Sequence, residues 1–259
     1  MPFFFQMRLF TETSVKSLTI LILGISALCA GQTPATFFSQ KWGTTFHLKP
    51  TEQGDTISIV SLFSDGRQAY LYNLADRSLV VLDSSGAISA SIPLTGSPSP
   101  TFAGDDFIIK DGQALFLNSI DRKILFFNAT TGAFIKSIDY PQGLRDEPSR
   151  INRVINRIDI DGDRIVLGNG RRFFYLDRSL QKKDASAGIL KAAAGQKIAG
   201  FNNGRKIICV RNSIYVNTVR AGTSIPTHFP VPGKRYAGIN RSIYGLSLDA
   251  NGVKILRVK

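Results

Sequence analysis

His47 and His228 are the only imidazoles in the 259 residues, and Cys29 and Cys209 the only thiols. A histidine-ligated zinc or a Ser-His-Asp triad needs several convergent groups. Both histidines fall in outer-edge strands of the pattern derived below, so neither chemistry has its partner set. The run DIDGD, residues 159–163, places Asp159, Asp161 and Asp163 two apart around a glycine. That alternation of oxygen ligands suits a hard cation such as calcium, but Gly162 also falls where a hairpin turn is due, and the later glutamate of a full calcium loop is missing. Asp105 and Asp106 are expected near the centre of the fold, where they would offer carboxylates to a metal without a further ligand set. GNGRRF, residues 168–173, joins two strands and opens no helix, so its glycines do not form a phosphate cradle. The triplets at Asn128 and Asn240 match glycosylation acceptors, a match that chance also produces.

Charge is the stronger signal. Residues 1–140 carry 10 Lys and Arg against 11 Asp and Glu, whereas residues 141–259 carry 22 against 8, so the net charge of +13 belongs to the second half. Clustered positive charge concentrates anions and speeds their encounter. Phosphate affinity would follow from a sequence pI near 10, and Phe173, Phe174 and Tyr175 add aromatic faces. Alternation along their strand, however, turns some of those rings inward, and the export signal described below argues against a nucleic-acid partner.

The elements that position these residues repeat. ADRSLVVLDSSG, residues 75–86, returns as IDRKILFFNATTG, residues 120–132. Glycine turns between alternating apolar runs occur at Gly66, Gly112, Gly162 and Gly204, spaced 46, 50 and 42 residues apart. A fifth copy, INRSIYGLSL, has Arg241 in place of the glycine. After each second strand comes a corner and a third strand. A fourth strand follows in three units as AISASIP, AFIKSIDYP and TSIPTHFP, each stopped by a proline that cannot extend a ladder.

Four short strands in each unit of about 40–50 residues predict an all-β propeller of five blades, with six blades or an incomplete ring as alternatives. The fifth unit lacks its fourth strand, and TTFHLKP, residues 44–50, is expected to supply it and close the ring. Residues 181–197 show no clear fourth strand and suggest a degenerate strand with a short helical turn.

The units DGRQAYLYNLADRSLVVLDSSGAISASI and DGQALFLNSIDRKILFFNATTGAFIKSI resemble blades of the NHL and TolB-like propellers, in which a DG turn, a corner arginine and a small-Gly turn recur. The resemblance covers residues 57–141 well and extends less closely to Arg220. It implies a propeller, usually six-bladed, and no particular chemistry.

Alternating strand direction puts the DG turns on one rim of such a ring and the arginine corners and crossovers on the other. The corner rim is then expected to carry Arg171, Arg172 and Arg211 at corners, and Arg145, Arg150, Arg153, Lys182, Lys183, Lys191, Lys234 and Arg235 in crossovers. Arg77 and Arg122 continue the series, each next to an aspartate that offers a local structural partner. From this basic arc the expected partner is an anionic polymer, a glycan or an acidic protein surface, and Arg145, Arg150, Arg153, Arg171, Arg172, Arg211 and Arg235 are its candidate contacts. The alternative is a hydrolase or lyase of the lactonase kind with a metal in the central channel.

The N-terminus is built differently. Arg8 and Lys16 precede LTILILGISALCA, residues 18–30, an apolar run the length of a secretory h-region and short of the ~20 residues of a membrane span. A signal peptide over residues 1–30 and one domain over residues 31–259 are expected, with Met7 an alternative start. Membrane attachment would require the segment to be retained. Loss of Cys29 with the signal leaves Cys209 as a lone thiol, expected to be a small buried side chain.

Overall fold

A computed structural model describes residues 34–43, 45–46, 48–51, 54–57, 59–97, 104–141, 155–169, 171–177, 180, 189–202, 204–227 and 233–258. Ala35–Lys259 forms one compact unit. The proposed signal peptide, both histidines, Lys182, Lys183, Arg145, Arg150 and Arg153 lie outside the described residues.

The unit is a five-bladed β-propeller. Its first strands to appear are β1 (Thr36–Lys41) and a separate hairpin of β2 (Leu48–Thr51) and β3 (Gly54–Ile57). Blade one contains β4 (Ile59–Ser64), β5 (Ala69–Asn73), β6 (Ser78–Leu82) and β7 (Ile88–Pro93). Blade two contains β8 (Asp106–Lys110), β9 (Gln113–Asn118), β10 (Lys123–Asn128) and β11 (Phe134–Asp139). Blade three contains β12 (Arg157–Asp161), β13 (Arg164–Gly168), β14 (Arg172–Tyr175) and β15 (Ile189–Lys191). Blade four contains β16 (Gln196–Asn202), β17 (Arg205–Val210), β18 (Ser213–Val216) and β19 (Val219–Thr223). Blade five contains β20 (Tyr236–Ile239), β21 (Ser242–Asp249) and β22 (Gly252–Arg257), completed by β1. Every pairing within the blades is antiparallel, and the innermost strands β4, β8, β12, β16 and β20 contact one another in that order, with β20 returning to β4.

Burial follows position in the blade. The middle strands β5 and β6 are buried throughout, because each is covered on both faces by neighbouring blades. The outer strand β7 alternates between exposed and half-buried residues. Phe107, Phe116 and Phe127 join Tyr72 in an aromatic series across blades one and two, with successive ring centroids 4.8 to 5.5 Å apart for Tyr72–Phe116, Phe107–Phe116 and Phe116–Phe127. Such contacts add to the burial of the rings themselves.

Two expectations are corrected here. The closing strand is Thr36–Lys41, which pairs with β22 and buries Phe38, whereas Leu48–Thr51 belongs to the separate hairpin. Pro50 is paired there, opposite Asp55, so a terminal proline did not distinguish a blade edge from a hairpin edge. The fourth strand of blade four is Val219–Thr223 and not TSIPTHFP: Val216 pairs with Val219 across a two-residue turn with Asn217 at φ 54°, so the chain reverses at once. Blade three has the degenerate fourth strand expected within residues 181–197, the three residues Ile189–Lys191, while residues 181–188 of that stretch lie outside the described residues.

The hairpin rim obeys its turn chemistry. Asp111 and Gly112 both have positive φ, 50° and 72°, the geometry that matches the twist of a tight hairpin. Asn240 and Arg241 adopt the same geometry at φ 47° and 65°. A side chain in that region is strained relative to glycine, so Arg241→Gly is expected to raise stability by about 1 kcal/mol. Urea unfolding of the two proteins would measure it, and a lower midpoint for the glycine variant would contradict the strain argument.

Candidate functional site

Two arrangements can do something chemically: a charged cluster inside the ring and a series of arginines on one rim. The innermost strands have no ladder between them, so side chains must tie one blade to the next. Ser61 Oγ of blade one donates to Asp106 Oδ1 of blade two at 2.5 Å, and Ile158 N of blade three donates to Asp106 Oδ2 at 3.0 Å. Phe201 N of blade four donates to Asp159 Oδ2 of blade three at 3.2 Å, and Leu62 N donates to Lys234 O at 2.9 Å, joining blade one to the segment entering blade five.

Lys234 lies at the centre of this network. Its Nζ reaches Asp106 Oδ1 at 3.0 Å, Phe107 O at 2.6 Å and Ile158 O at 2.7 Å, which uses the three donors of an ammonium. The residue is 3% exposed and Asp106 is fully buried. Lys234 was expected on the basic surface, and that is corrected: it is an internal cation whose acceptors are supplied by blades two and three. Gly233 lets it in, since a side chain there would collide with Ser61 and the Asp105 carbonyl.

Arg157 and Arg235 stand beside it. Burial lowers the Arg157 pKa, while Asp106 and Asp159 favour its charge and Arg235 opposes it. Arg235 sends Nη2 to Ile225 O at 2.6 Å and lies over the Tyr236 ring at 5.5 Å. Strand direction places this cluster at the corner-rim end of the channel, because Asp106 and Arg157 begin their inner strands and Lys234 and Arg235 immediately precede β20.

The calcium candidates do not converge. Asp159 is buried with its oxygens bonded to Ile160 N and Phe201 N, Asp161 Oδ2 accepts from Tyr175 Oη at 2.5 Å, and Asp163 is exposed. Among the described residues no three His, Cys, Asp or Glu side chains are placed to hold one ion. Asp105 Oδ2 accepts from Ser119 N at 2.6 Å.

Burial pushes Asp159 up to about 7, opposed by Lys234 and reinforced by Asp106. An unfolded aspartate ionises near 4, so from about pH 4 to 7 the folded protein holds a proton that the unfolded chain has released. The stability from this group is full below about pH 4 and is lost as pH rises through about 7. Asp159→Asn, which keeps one of the two oxygen acceptors and cannot ionise, is expected to flatten that part of the stability profile and to melt above wild type at pH 8, by about 1 kcal/mol or more. Thermal melts at pH 5 and 8 decide it, and an unchanged slope in the variant would refute the assignment.

On the corner rim, Arg77, Arg122, Arg171 and Arg211 are exposed at the second-to-third-strand corners of blades one to four, and Arg172 is half-buried. The aspartate of the Asp-Arg motif also bonds to an asparagine of its own corner. Asn73 Nδ2 donates to Asp76 at 2.8 Å and Asn118 Nδ2 to Asp121 at 2.9 Å, so the aspartate braces the corner through the asparagine. Arg77, Arg122 and Arg211 follow at φ 48°, 52° and 50°. Asn169 Oδ1 accepts from the amides of Arg171 and Arg172, each at 3.1 Å. Of the proposed contacts, Arg171, Arg172 and Arg211 share the rim, whereas Arg235 points its guanidinium at carbonyls. The charge cluster around Lys234 was missed by sequence reasoning, although Asp106 had been placed near the axis. Cys209 is half-buried, not buried, with Sγ donating to Arg211 O at 3.6 Å.

No family model matches the chain, and no curated protein does. Solved structures with a similar fold include a Bacteroides fragilis protein described as inferred to be exported, with 12% identity over 84% of this chain and 71% of that one, at a TM-score of 0.44. A streptogramin B lyase matches at 13% identity over 88% of this chain and 75% of its own, at a TM-score of 0.40. A glutaminyl cyclase from Myxococcus xanthus matches at 13% identity over 88% and 93%, at a TM-score of 0.40. Likeness at this level carries no argument about chemistry.

Proposed function

We propose that this chain is an exported, non-enzymatic binding protein, built of NHL-like or TolB-like units, that holds an anionic partner on its corner rim. The observation that carries the reading is the exposed arginine at the corner of four successive blades. Three of the four, Arg77, Arg122 and Arg211, have positive φ, where asparagine or glycine would be less strained by about 1 kcal/mol each. A costly conformation repeated with the same long cationic side chain points to use of that side chain. The partner chemistry that fits a ring of separated cations is an envelope polymer, an acidic glycan or an acidic protein surface. Export rests on the charged start and apolar run of residues 8–30. For the lactonase-like alternative, Lys234 already takes Asp106 and two carbonyls at the channel end, so no observation favours it.

The test is binding of the full chain to poly-glutamate and to a sulfated glycan across a salt titration, beside an Arg171→Ala, Arg172→Ala, Arg211→Asn variant. The expected result is loss of salt-dependent affinity without any fall in melting temperature. Equal binding by both proteins, or no binding by wild type, would overturn the reading.

A further inference from the structure

The corner end of the channel holds three cations, Lys234, Arg157 and Arg235, against two carboxylates, Asp106 and Asp159. The donors of Lys234 are all spent inside the protein. Those of Arg157 are not: its Nη1 is buried and meets no hydrogen-bond acceptor among the described residues. The charge of Arg235 opposes that of Arg157. The bonds of Arg235 use Nε and Nη2 toward Ile225 O and Leu246 O, not Nη1. Both arginines are half-buried, and two guanidinium groups of like charge, one with an orphaned buried donor, are stabilised together by an anion that meets both.

We propose that this end of the channel binds a compact oxyanion, a carboxylate or a phosphate, with the Arg157 guanidinium as its fork and Arg235 as the second cation. The planar pair of N–H donors on a guanidinium matches two oxygens of either group, and a point-charge ammonium does not replace it. The site is separate from the rim arginines and takes a small ion where the rim takes a polymer, so either assignment can fail alone.

The experiment is thermal melting of the full chain with increasing inorganic phosphate, and separately acetate, at an ionic strength held constant with chloride. A ligand that binds only the folded state raises Tm in a saturable way, and that rise is expected with at least one of the two ions. Phosphate alone would identify a phosphate-type ligand, and acetate a carboxylate. Arg157→Gln is expected to weaken the response at least about tenfold, and Arg157→Lys to weaken it while keeping the charge. No rise beyond chloride with either ion, or an unaltered response in Arg157→Gln, overturns the proposal. Should Arg157→Gln fail to fold, the wild-type arginine Nε–Hε resonances followed through the same titrations decide: a shifting buried-arginine signal supports the site, and unmoved arginine signals refute it.

Discussion

Lys234→Met is expected to destabilise the protein by about 3–5 kcal/mol, because it removes one partner of a buried ion pair and leaves the other charged. For a domain of this size that corresponds to a fall in Tm of roughly 6–20 °C. Methionine keeps most of the side-chain volume, so the loss is electrostatic and not a cavity. Asp106, fully buried, would retain Ser61 Oγ and Ile158 N as donors, which keeps the effect below that of an isolated charge. The carbonyls of Phe107 and Ile158 would lose their donor as well. Combining Lys234→Met with Asp106→Asn should recover part of the loss, since the uncompensated charge is then gone. Calorimetric melts of the two single variants and the double variant measure the coupling. A Lys234→Met protein within 1 kcal/mol of wild type would mean that the pair does not hold the blades together.

Gly132→Ala is the second large effect, expected at about 2–4 kcal/mol. Gly132 has φ 71°, and a Cβ there would meet the Pro93 carbonyl oxygen inside contact distance. The approach is close because Thr95 N donates to Gly132 O at 2.9 Å, docking the third-to-fourth-strand turn of blade two on the end of the outer strand of blade one. Gly86 stands in the same relation to Phe37 of β1, the strand that closes the ring. Alanine therefore adds both backbone strain and overlap with a neighbouring blade that cannot retreat without moving its edge. Gly112→Ala makes the control, with positive φ but nothing near the added Cβ. Denaturant unfolding should rank Gly132→Ala well below Gly112→Ala, and equal losses would reduce the contact to backbone strain alone.

Most of the blade plan was legible in local pattern. DGQALFLN and IDRKILFFN announce strand, turn and corner through residues that interact within a few positions: the Gly112 turn, the Asn118–Asp121 brace and the short apolar runs that are buried as β9 and β10. The misplaced edges share a cause. Outer strands such as β1 and β19 are half-exposed, so apolar alternation marks them weakly, and a proline marks the end of a hairpin as well as that of a blade.

The candidate sites divide in the same way. The arginine corners were visible because each sits at a fixed place in a repeat, although their positive φ was not. The group around Lys234 was not visible: Ser61, Asp106, Arg157 and Lys234 come from four blades, and Lys234 lies 128 residues from Asp106. In sequence Lys234 reads as a crossover lysine among many.

By itself, then, the sequence determined the repeating unit, closure by an N-terminal strand and the rim that carries the arginines, because turn geometry, alternation and strand direction are short-range properties, and it favoured five blades over six. Only the tertiary structure decided which strand closes the ring, which cations face solvent and which lysine is drawn inside. Those outcomes depend on desolvation and on carbonyls and carboxylates that meet only when the ring is complete.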